Sequence, residues 1–536
     1  MDGADAAVIG AGPNGLVAAN LLADAGWRVA VLEAQPDPGG AVRSAELTHP
    51  GFVHDVFSAF YPLGVASPVM QALDLESYGL RWRRAPLVLA HPTADERCAV
   101  LSTTVGETAD SLDEYAAGDG DAWRAVYAEY ERIADPLLGA MTSPMPPVRA
   151  ATRLALTLGP TGLLDFARTS VLSLRRLAHE RFGGEGAALL LAGNALHSDL
   201  GIDSAPSGFL GWVLTCLGQQ HGFPVPEGGA GRLTDALVRR LEARGGTVTC
   251  NAPVVDVVVR NRRAVAVTTA DGTTVDAPRG VVADIGAPAL YRHLVGEEHL
   301  SSSFLRALDR FQYDHGTFKI DWALSGPIPW RADAARRAGT VHVCTSIDDT
   351  TRYGAQLADD HIPARPFVLV GQMNKADPTR SPAGTETVWA YTHVPREPRG
   401  DAGAGPGDRA LTGRWDAAET DAFAARIEAL IEAEAPGFGS LVTARHLLPP
   451  PALEERDANL VGGALGGGTM AFSQQLVFRP VPGLGRAETP IRGLFLASAS
   501  AHPGGGVHGA CGANAARAAI AADRLRSIVG RARRRG

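Results

Sequence analysis

The chain has 536 residues, a formal charge of −8 and a pI near 6.0, with 45% hydrophobic and 20% charged residues. That length exceeds what a single hydrophobic core organises, so two joined domains are expected, and the acidic balance argues against nucleic acid as a partner. Five cysteines, Cys98, Cys216, Cys250, Cys344 and Cys511, are scattered without a CxxC pair, which excludes a redox dithiol and makes a disulfide scaffold an unsuitable reading.

Residues 5–33, DAAVIGAGPNGLVAANLLADAGWRVAVLE, read as one strand–helix–strand unit. The apolar strand Ala6 to Ile9 runs into Gly10, Gly12 and Gly15, with Pro13 and Asn14 opening a helix that closes at Gly26 before a second strand, Val29 to Leu32. Gly10 permits the tight turn, Gly12 lets backbone approach a pyrophosphate, and Gly15 lets helix and strand pack closely. A diphosphate would sit on unpaired N–H groups at the positive end of that helix. Glu33, at the end of the second strand, is placed to accept hydrogen bonds from a ribose and would repel a 2′-phosphate, which disfavours NADP. A second glycine pair, Gly39-Gly40, follows with Arg43 just beyond. A close backbone approach with a basic side chain suits FAD, whose flavin and ribityl chain extend past the pyrophosphate; a surface turn with a solvated arginine is the alternative.

The stretch 86–224 reads as mostly helical, broken by Pro144, Pro146 and Pro147. Within it, 148–181 alternates leucines with Arg149, Arg153, Arg168, Arg175, Arg176 and Arg181. Such a segment can dock peripherally on an anionic membrane or pack as a helical lid. Asn194, His197 and Asp199 either line a substrate face or cap a helix end. From Pro226 the pattern returns to helix and strand: Leu233, Leu237 and Leu241 share a helical face, Gly245-Gly246 end it, and a hairpin turns at Asp271-Gly272 before Val281 to Asp284. The stretch 291–454 starts with strands around Thr317 to Leu324 and ends in a helix from Thr420 to Ala435.

The terminal GLFLASASAHPGGGVHGACGANAARAAIAADRL repeats the strand, glycine loop, helix order. A short strand, Gly493 to Ala497, leads through Ser498 and His502 into Gly505, Gly506 and Val507, and then past His508 and Gly512 into an alanine-rich helix. A flavin can approach small residues at a helix N-terminus closely. Two such elements at opposite ends of the chain imply one discontinuous FAD domain: 1–85, 225–290 and 455–536, with 86–224 and 291–454 as an inserted substrate domain.

The motifs VIGAGPNGLVAA, LEAQPDPGGAVRS, PEGGAGRLTDAL and GLFLASASAHPGGGVHGACGANAA resemble those of the FAD-dependent amine oxidase and phytoene desaturase superfamily, within it the phytoene-dehydrogenase-like proteins and carotenoid ketolases. The resemblance spans almost the whole chain, and HPGGGV is its most specific part. It implies an α/β fold with a Rossmann-type FAD-binding domain of the glutathione-reductase-like superfamily and an inserted α+β substrate domain, and it places Val254 and Val255 beside the adenine. It also gives TFKIDWALSGPIPW a role, since flavin amine oxidases hold a water against flavin N5 with a lysine on a comparable strand followed by a tryptophan. Lys319 and Trp330 match; an ion pair between Lys319 and an acid is the alternative. His502 and His508 flank the glycine loop and are the remaining titratable candidates for catalysis, with a structural role open to each.

Two departures bear on substrate. Ala510 stands where amine oxidases place an aromatic residue to cage the amine, and Ser498 replaces the usual acid near the ribityl-phosphate arm. The expected function is therefore an FAD-dependent oxidoreductase moving hydride from a largely apolar, isoprenoid- or polyene-like small molecule to the flavin. An amine or amino-acid oxidase using oxygen, and an FAD-containing protein acting through protein partners, remain as alternatives. No metal is implied. Without a membrane-length apolar run or a leader pattern, the cytoplasm is the expected compartment.

Overall fold

The computed structural model describes residues 3–405, 407 and 409–535. The strand Ala6–Ile9 is central in a five-stranded parallel sheet, with Val29–Leu32 and Thr247–Thr249 on one side and Gly280–Ala283 and Leu494–Leu496 on the other. Strands covered on both faces need continuous apolar runs, and AAVI, VAVL and GVVA supply them. One face packs against the helices Pro13–Asp24, Gly231–Glu242 and Ala510–Arg535. The other is covered by an antiparallel meander, Val254–Arg260, Arg263–Thr269 and Thr274–Asp276, together with Leu290 and Tyr291. The meander turns at Asp271-Gly272 as expected, and also at Asn261 and Arg262, which both adopt left-handed backbone.

A second sheet has seven strands in the spatial order Val442–Leu448, Gly316–Leu324, Glu386–Val394, Val368–Gln372, Ala338–Val343, Leu87–Pro92 and Cys98–Leu101. Every pairing is antiparallel except that of Ala338–Val343 with Leu87–Pro92. The stretch 86–224 is thus helical only from residue 105 onward, since it opens with two strands of this sheet. Period-two alternation divides the strand Gly316–Leu324. Phe318, Ile320, Trp322 and Leu324 pack under the helix Ala417–Glu434 with Phe423 and Phe438. Thr317, Lys319 and Asp321 point to the opposite face, beside their register partners His393, Tyr391 and Trp389. That face is roofed by helices including Glu185–Ala195 and Ser207–His221.

The segment 148–181 is not one continuous helix. Val148–Val171 kinks at Gly159, where φ is 68°, and a second helix, Leu174–Arg181, follows. Arg168 and Arg176 share Glu180, Arg181 pairs with Glu129, and Arg175 pairs with Asp203 and Asp348. Leu154, Leu174 and Leu177 are buried while Val148, Leu156 and Leu164 are exposed. Among the described residues no helix is long and apolar enough to cross a membrane.

The terminal helix lies against Pro13–Asp24 so closely that a Cβ on Gly512 would overlap the Asn14 carbonyl oxygen. Both parts are backbone, which cannot swing aside as a side chain would. Gly512→Val is expected to cost at least about 1–3 kcal/mol by overpacking and to lower the midpoint of thermal unfolding; an unchanged midpoint would show that the two helices can separate without penalty.

Candidate cofactor and substrate site

The two glycine motifs of the N-terminal region meet. Gly39 N–H donates to the Ala11 carbonyl at 2.8 Å, and a Cβ on Gly40 would sit 3.1 Å from the Gly12 Cα. Gly10 and Gly40 both require positive φ, 91° and 51°. A Cβ on Gly15 would overlap the Gly10 carbonyl, as expected of the position that brings helix and strand together. Pro13 occupies the first turn of its helix and Gly12 its N-cap. Asn14 is buried with its Oδ1 unpartnered. Glu33 is buried, its carboxylate accepting from Ala11 N–H at 2.7 Å and Gln35 N–H at 2.9 Å. Arg43 donates to the carbonyls of Gly40 and Arg456 and lines a cleft of about 460 Å³ with Gln35, Asp37, Ser44, Val56 and Glu455. Ala252 N–H reaches the Glu33 carbonyl; Val254 is half-buried, whereas Val255 is 49% exposed, so the two valines do not present the same surface.

A further carboxylate enters here. Asp284 Oδ2 accepts from Gly15 N–H at 2.8 Å and lies 2.6 Å from where a Cβ on Gly12 would be. Burial pushes Asp284 up to about 7; the Gly15 amide opposes this, and the carboxylates of Asp457 and Glu33 add to it.

The terminal glycine loop has a counterpart that sequence reading missed, Gly466–Gly468. A Cβ on Gly505 would sit 3.1 Å from the Gly466 carbonyl oxygen, and one on Gly467 would sit 2.7 Å from the Ala499 Cβ. Asp314 accepts the N–H groups of Leu465, Gly466 and Gly468, and the fully buried Arg479 donates to the carbonyls of Gly466, Thr469 and Ala499. One acid and one base thus hold the two sides of the same backbone. Val507, a β-branched residue at φ 51°, carries the strain of the loop that follows, and Gly506 is also left-handed. Ser498 is buried, its Oγ accepting from Ser500 N–H. His502 Nε2–H donates to the Ser143 carbonyl at 3.0 Å, leaving Nδ1 unpartnered, while His508 Nδ1 accepts from Ala510 N–H at 3.0 Å and so caps the terminal helix. Burial holds both imidazoles down at about 4, hence neutral at physiological pH.

Lys319 is buried, and its Nζ donates to both oxygens of Asp321, with His54 Nδ1 3.5 Å from the same carboxylate. Burial alone would raise Asp321, but Lys319 and His54 outweigh it and hold the carboxyl below the usual range. The ion-pair alternative for Lys319 is thus present in the structure. Trp330 does not share its face: it packs with Trp322 and Ile328 on the opposite side of the sheet and donates to Gln372 Oε1. From the Lys319 face an aromatic row extends outward. Phe60 contacts Phe223 and Trp389, Trp389 stacks on Tyr391, and Tyr391 meets His197, whose Nδ1 is 3.0 Å from the Tyr391 hydroxyl.

Beyond Tyr391 lies a buried polar cluster. His342 contacts both His197 and His91, and a Cβ on Gly193 would overlap the His342 ring. Six buried atoms here have no hydrogen-bond partner: His91 Nδ1, His197 Nε2, both ring nitrogens of His342, His393 Nε2 and Thr340 Oγ1. An unsatisfied buried polar group costs about 1–3 kcal/mol, so together they would rival the ~5–15 kcal/mol that holds a protein folded. Water or a ligand must satisfy them in solution. Burial keeps all four imidazoles neutral, His91 and His393 at about 4, His197 at about 3, and His342 well below its usual value. Of the other residues noted beside this helix, Asp199 accepts from Met470 N–H and so ties it to the second glycine run.

A parallel sheet, a glycine turn against a helix N-terminus and a buried glutamate at the next strand end define a dinucleotide-binding α/β protein. The description "Flavin containing amine oxidoreductase" matches residues 14–380. The chain belongs to that family; it is an FAD-dependent oxidoreductase, and the glycine cradles fit the cofactor. It is 29% identical to mouse (Mus musculus) pyridine nucleotide-disulfide oxidoreductase domain-containing protein 2 over 96% of this chain and 92% of that one. It is 24% identical to the neurosporene-forming phytoene desaturase of Rhodobacter capsulatus over 94% and 91%. Its fold is similar to that of putrescine oxidase, with a TM-score of 0.59 at 16% identity over 96% of this chain and 98% of that structure.

The raised Asp284 predicts a pH dependence. Below about pH 4 the folded and unfolded chains both hold the proton. Between about 4 and 7 the unfolded chain ionises first, so stability falls as pH rises, by at most about 4 kcal/mol. Asp284→Asn keeps an acceptor for Gly15 N–H without the charge. The variant is expected to unfold at a higher temperature than wild type at pH 8 and at the same temperature near pH 4; parallel profiles would mean Asp284 is ionised at no cost.

Proposed function

We propose that the protein is a dehydrogenase or desaturase of a largely apolar, isoprenoid- or polyene-like small molecule, with the parallel-sheet unit, of Rossmann type and glutathione-reductase-like, holding FAD and the seven-stranded sheet with its helical roof facing the substrate. FAD, when bound, accepts the hydride. The observation that carries the reading is the aromatic row Phe60, Trp389 and Tyr391, on the same sheet face as Lys319. A chain of rings offers apolar contact along its length, which suits an extended hydrocarbon. The small Ala510, at the start of the terminal helix, leaves no aromatic cage there for an amine, and Asp321 is already occupied by Lys319. The phytoene desaturase relative points the same way. Exposed Val148, Leu156 and Leu164 beside Arg149 and Arg153 are where such a substrate would be drawn from a lipid surface, with lid packing accounting for the buried side of the same helix.

In this reading Gly10 to Gly15 with Pro13 and Asn14 hold the pyrophosphate, Glu33 the ribose, and Gly39, Gly40 and Arg43 the adjoining part of the cofactor, with Val254 and Val255 near the adenine. Ser498, Gly505, Gly506, Val507 and Gly512 build the terminal wall. His502 and His508, neutral and buried, shape that wall rather than exchange protons. Lys319 is held in place on this face by Asp321, which His54 also approaches.

Substrate screening tests the class. Purified protein reconstituted with FAD is expected to bleach anaerobically with isoprenoid hydrocarbons and not with putrescine or amino acids; bleaching by amines alone would overturn the reading.

Lys319 needs a paired design, because Lys319→Met alone strands a buried carboxylate, a loss of about 3–5 kcal/mol. The double variant Lys319→Met with Asp321→Asn is expected to fold and retain FAD while the flavin half-reaction slows by roughly 10²- to 10⁴-fold if Nζ handles a proton. Wild-type rates in the double variant would assign Lys319 a structural role.

A further inference from the structure

We propose that the buried imidazole cluster of His91, His197, His342 and His393 is a binding site for a hydroxyl group carried by the otherwise apolar substrate, lying around and beyond Tyr391 on the same sheet face as Lys319. The inference rests on the substrate reading above and adds a polar terminus to it.

The cluster is built from both sides of the interior. His91, His342 and His393 come from three strands of the seven-stranded sheet, and His197 follows the helix Glu185–Ala195 that roofs them. Gly193 is the point at which that helix comes down on the His342 ring, so the rings are held against the helix by backbone. Phe367 closes the other side of His342 at 5.1 Å between ring centroids. The row Trp389, Tyr391 and His197 joins the cluster to the substrate face without a break.

Hydrogen-bond polarity selects the ligand. His91 donates through Nε2–H to the Cys344 carbonyl at 2.8 Å, so its free Nδ1 is an acceptor. His342, neutral with both nitrogens unpartnered, offers one acceptor and one donor. His91 and His342 together thus offer two free acceptors and one donor. A carboxylate or a carbonyl only accepts and would leave the acceptors unpaired. An ammonium only donates and would bring a charge among neutral rings. A hydroxyl does both and is neutral. Among the described residues, no group of three or more His, Cys, Asp or Glu side chains has the arrangement to hold a metal ion.

The test compares farnesol, farnesene and farnesylamine, three ligands with one chain and different ends, by perturbation of the flavin absorption of the FAD-loaded protein. The wild type is expected to bind farnesol at least 10-fold more tightly than farnesene or farnesylamine. In His342→Phe and in His197→Phe, each checked for FAD content and unfolding temperature, farnesol should weaken to the level of farnesene while farnesene is held as before. His342→Asn, which keeps a donor and an acceptor, should restore part of the preference if the phenylalanine variant folds poorly. Equal binding of farnesol and farnesene by the wild type, or a preference that survives both phenylalanine substitutions, would overturn the proposal and leave the cluster to internal water. Tighter binding of farnesylamine would overturn it in favour of an amine. If none of the three perturbs the flavin, the isoprenoid reading itself fails, an outcome distinct from losing only the hydroxyl preference.

Discussion

The fully buried guanidinium of Arg380 is the point from which the two sheets take their relative position. A buried arginine cannot shed its charge, so the fold has to bring carboxylates to it. Asp55 arrives from the segment after the second glycine pair, 2.5 Å away, and Asp377 from the segment after the strand Val368–Gln372. Each acid is itself tied to backbone elsewhere. Asp55 accepts from Ser44 Oγ and Ala230 N–H, and Asp377 from Gly228 N–H. Removing Arg380 would leave two carboxylates uncompensated in a dry interior. The consequence for chemistry is positional: His54, next to Asp55, faces Asp321 and so sets the glycine-pair region against the Lys319 strand.

Close backbone approach is the second constraint, and it reassigns several glycines. Gly15 is needed beneath Gly10, Gly40 against Gly12, Gly512 beneath Asn14, and Gly505 against Gly466. In each pair the partner is main chain of another loop or helix. The cofactor cradle is therefore made by backbones that have already been brought into contact with one another, and a glycine that looks like a ligand position in sequence can be a packing position in the fold. Asp314 and Arg479 serve the same end at the second glycine run, taking its amides and its carbonyls respectively.

The Rossmann-like unit was legible because its determinants are local: apolar strand, glycine turn, helix and acid follow one another within thirty residues or so. The terminal strand and loop were legible by the same grammar. Helix existence in 105–221 was clear, but two strands ahead of it were hidden in the apolar run of Leu87–Pro92, whose partner Ala338–Val343 lies far along the chain. Lys319 had a readable partner that went unused, since residues two apart on a strand share a face and Asp321 is two residues on. Trp330 misled because strand-end spacing does not reveal on which side of a sheet the following loop folds. Arg380 with Asp55, and the four histidines, could not be found from spacing at all; isolated polar residues converge only once the sheet order is known. The Asn194, His197 and Asp199 run was the one local hint, and of its side chains His197 reaches the cluster.

Beside its buried ion pairs, the interior holds several titratable groups that burial displaces toward their neutral forms. Around the first glycine loop, Asp284 and Asp457 are raised by burial, which retains protons on acids. Along the aromatic row and the terminal loop, six imidazoles are lowered by burial, which keeps protons off bases. The two sets act on stability in opposite directions. The imidazoles contribute fully above their usual value near 6.5 and lose that contribution as pH falls toward 4, while the raised acids lose theirs as pH rises from about 4 toward 7. The same neutrality suits the proposed chemistry, because an apolar substrate giving up hydride next to a buried cofactor would be best served by walls that present hydrogen-bonding groups without uncompensated charge.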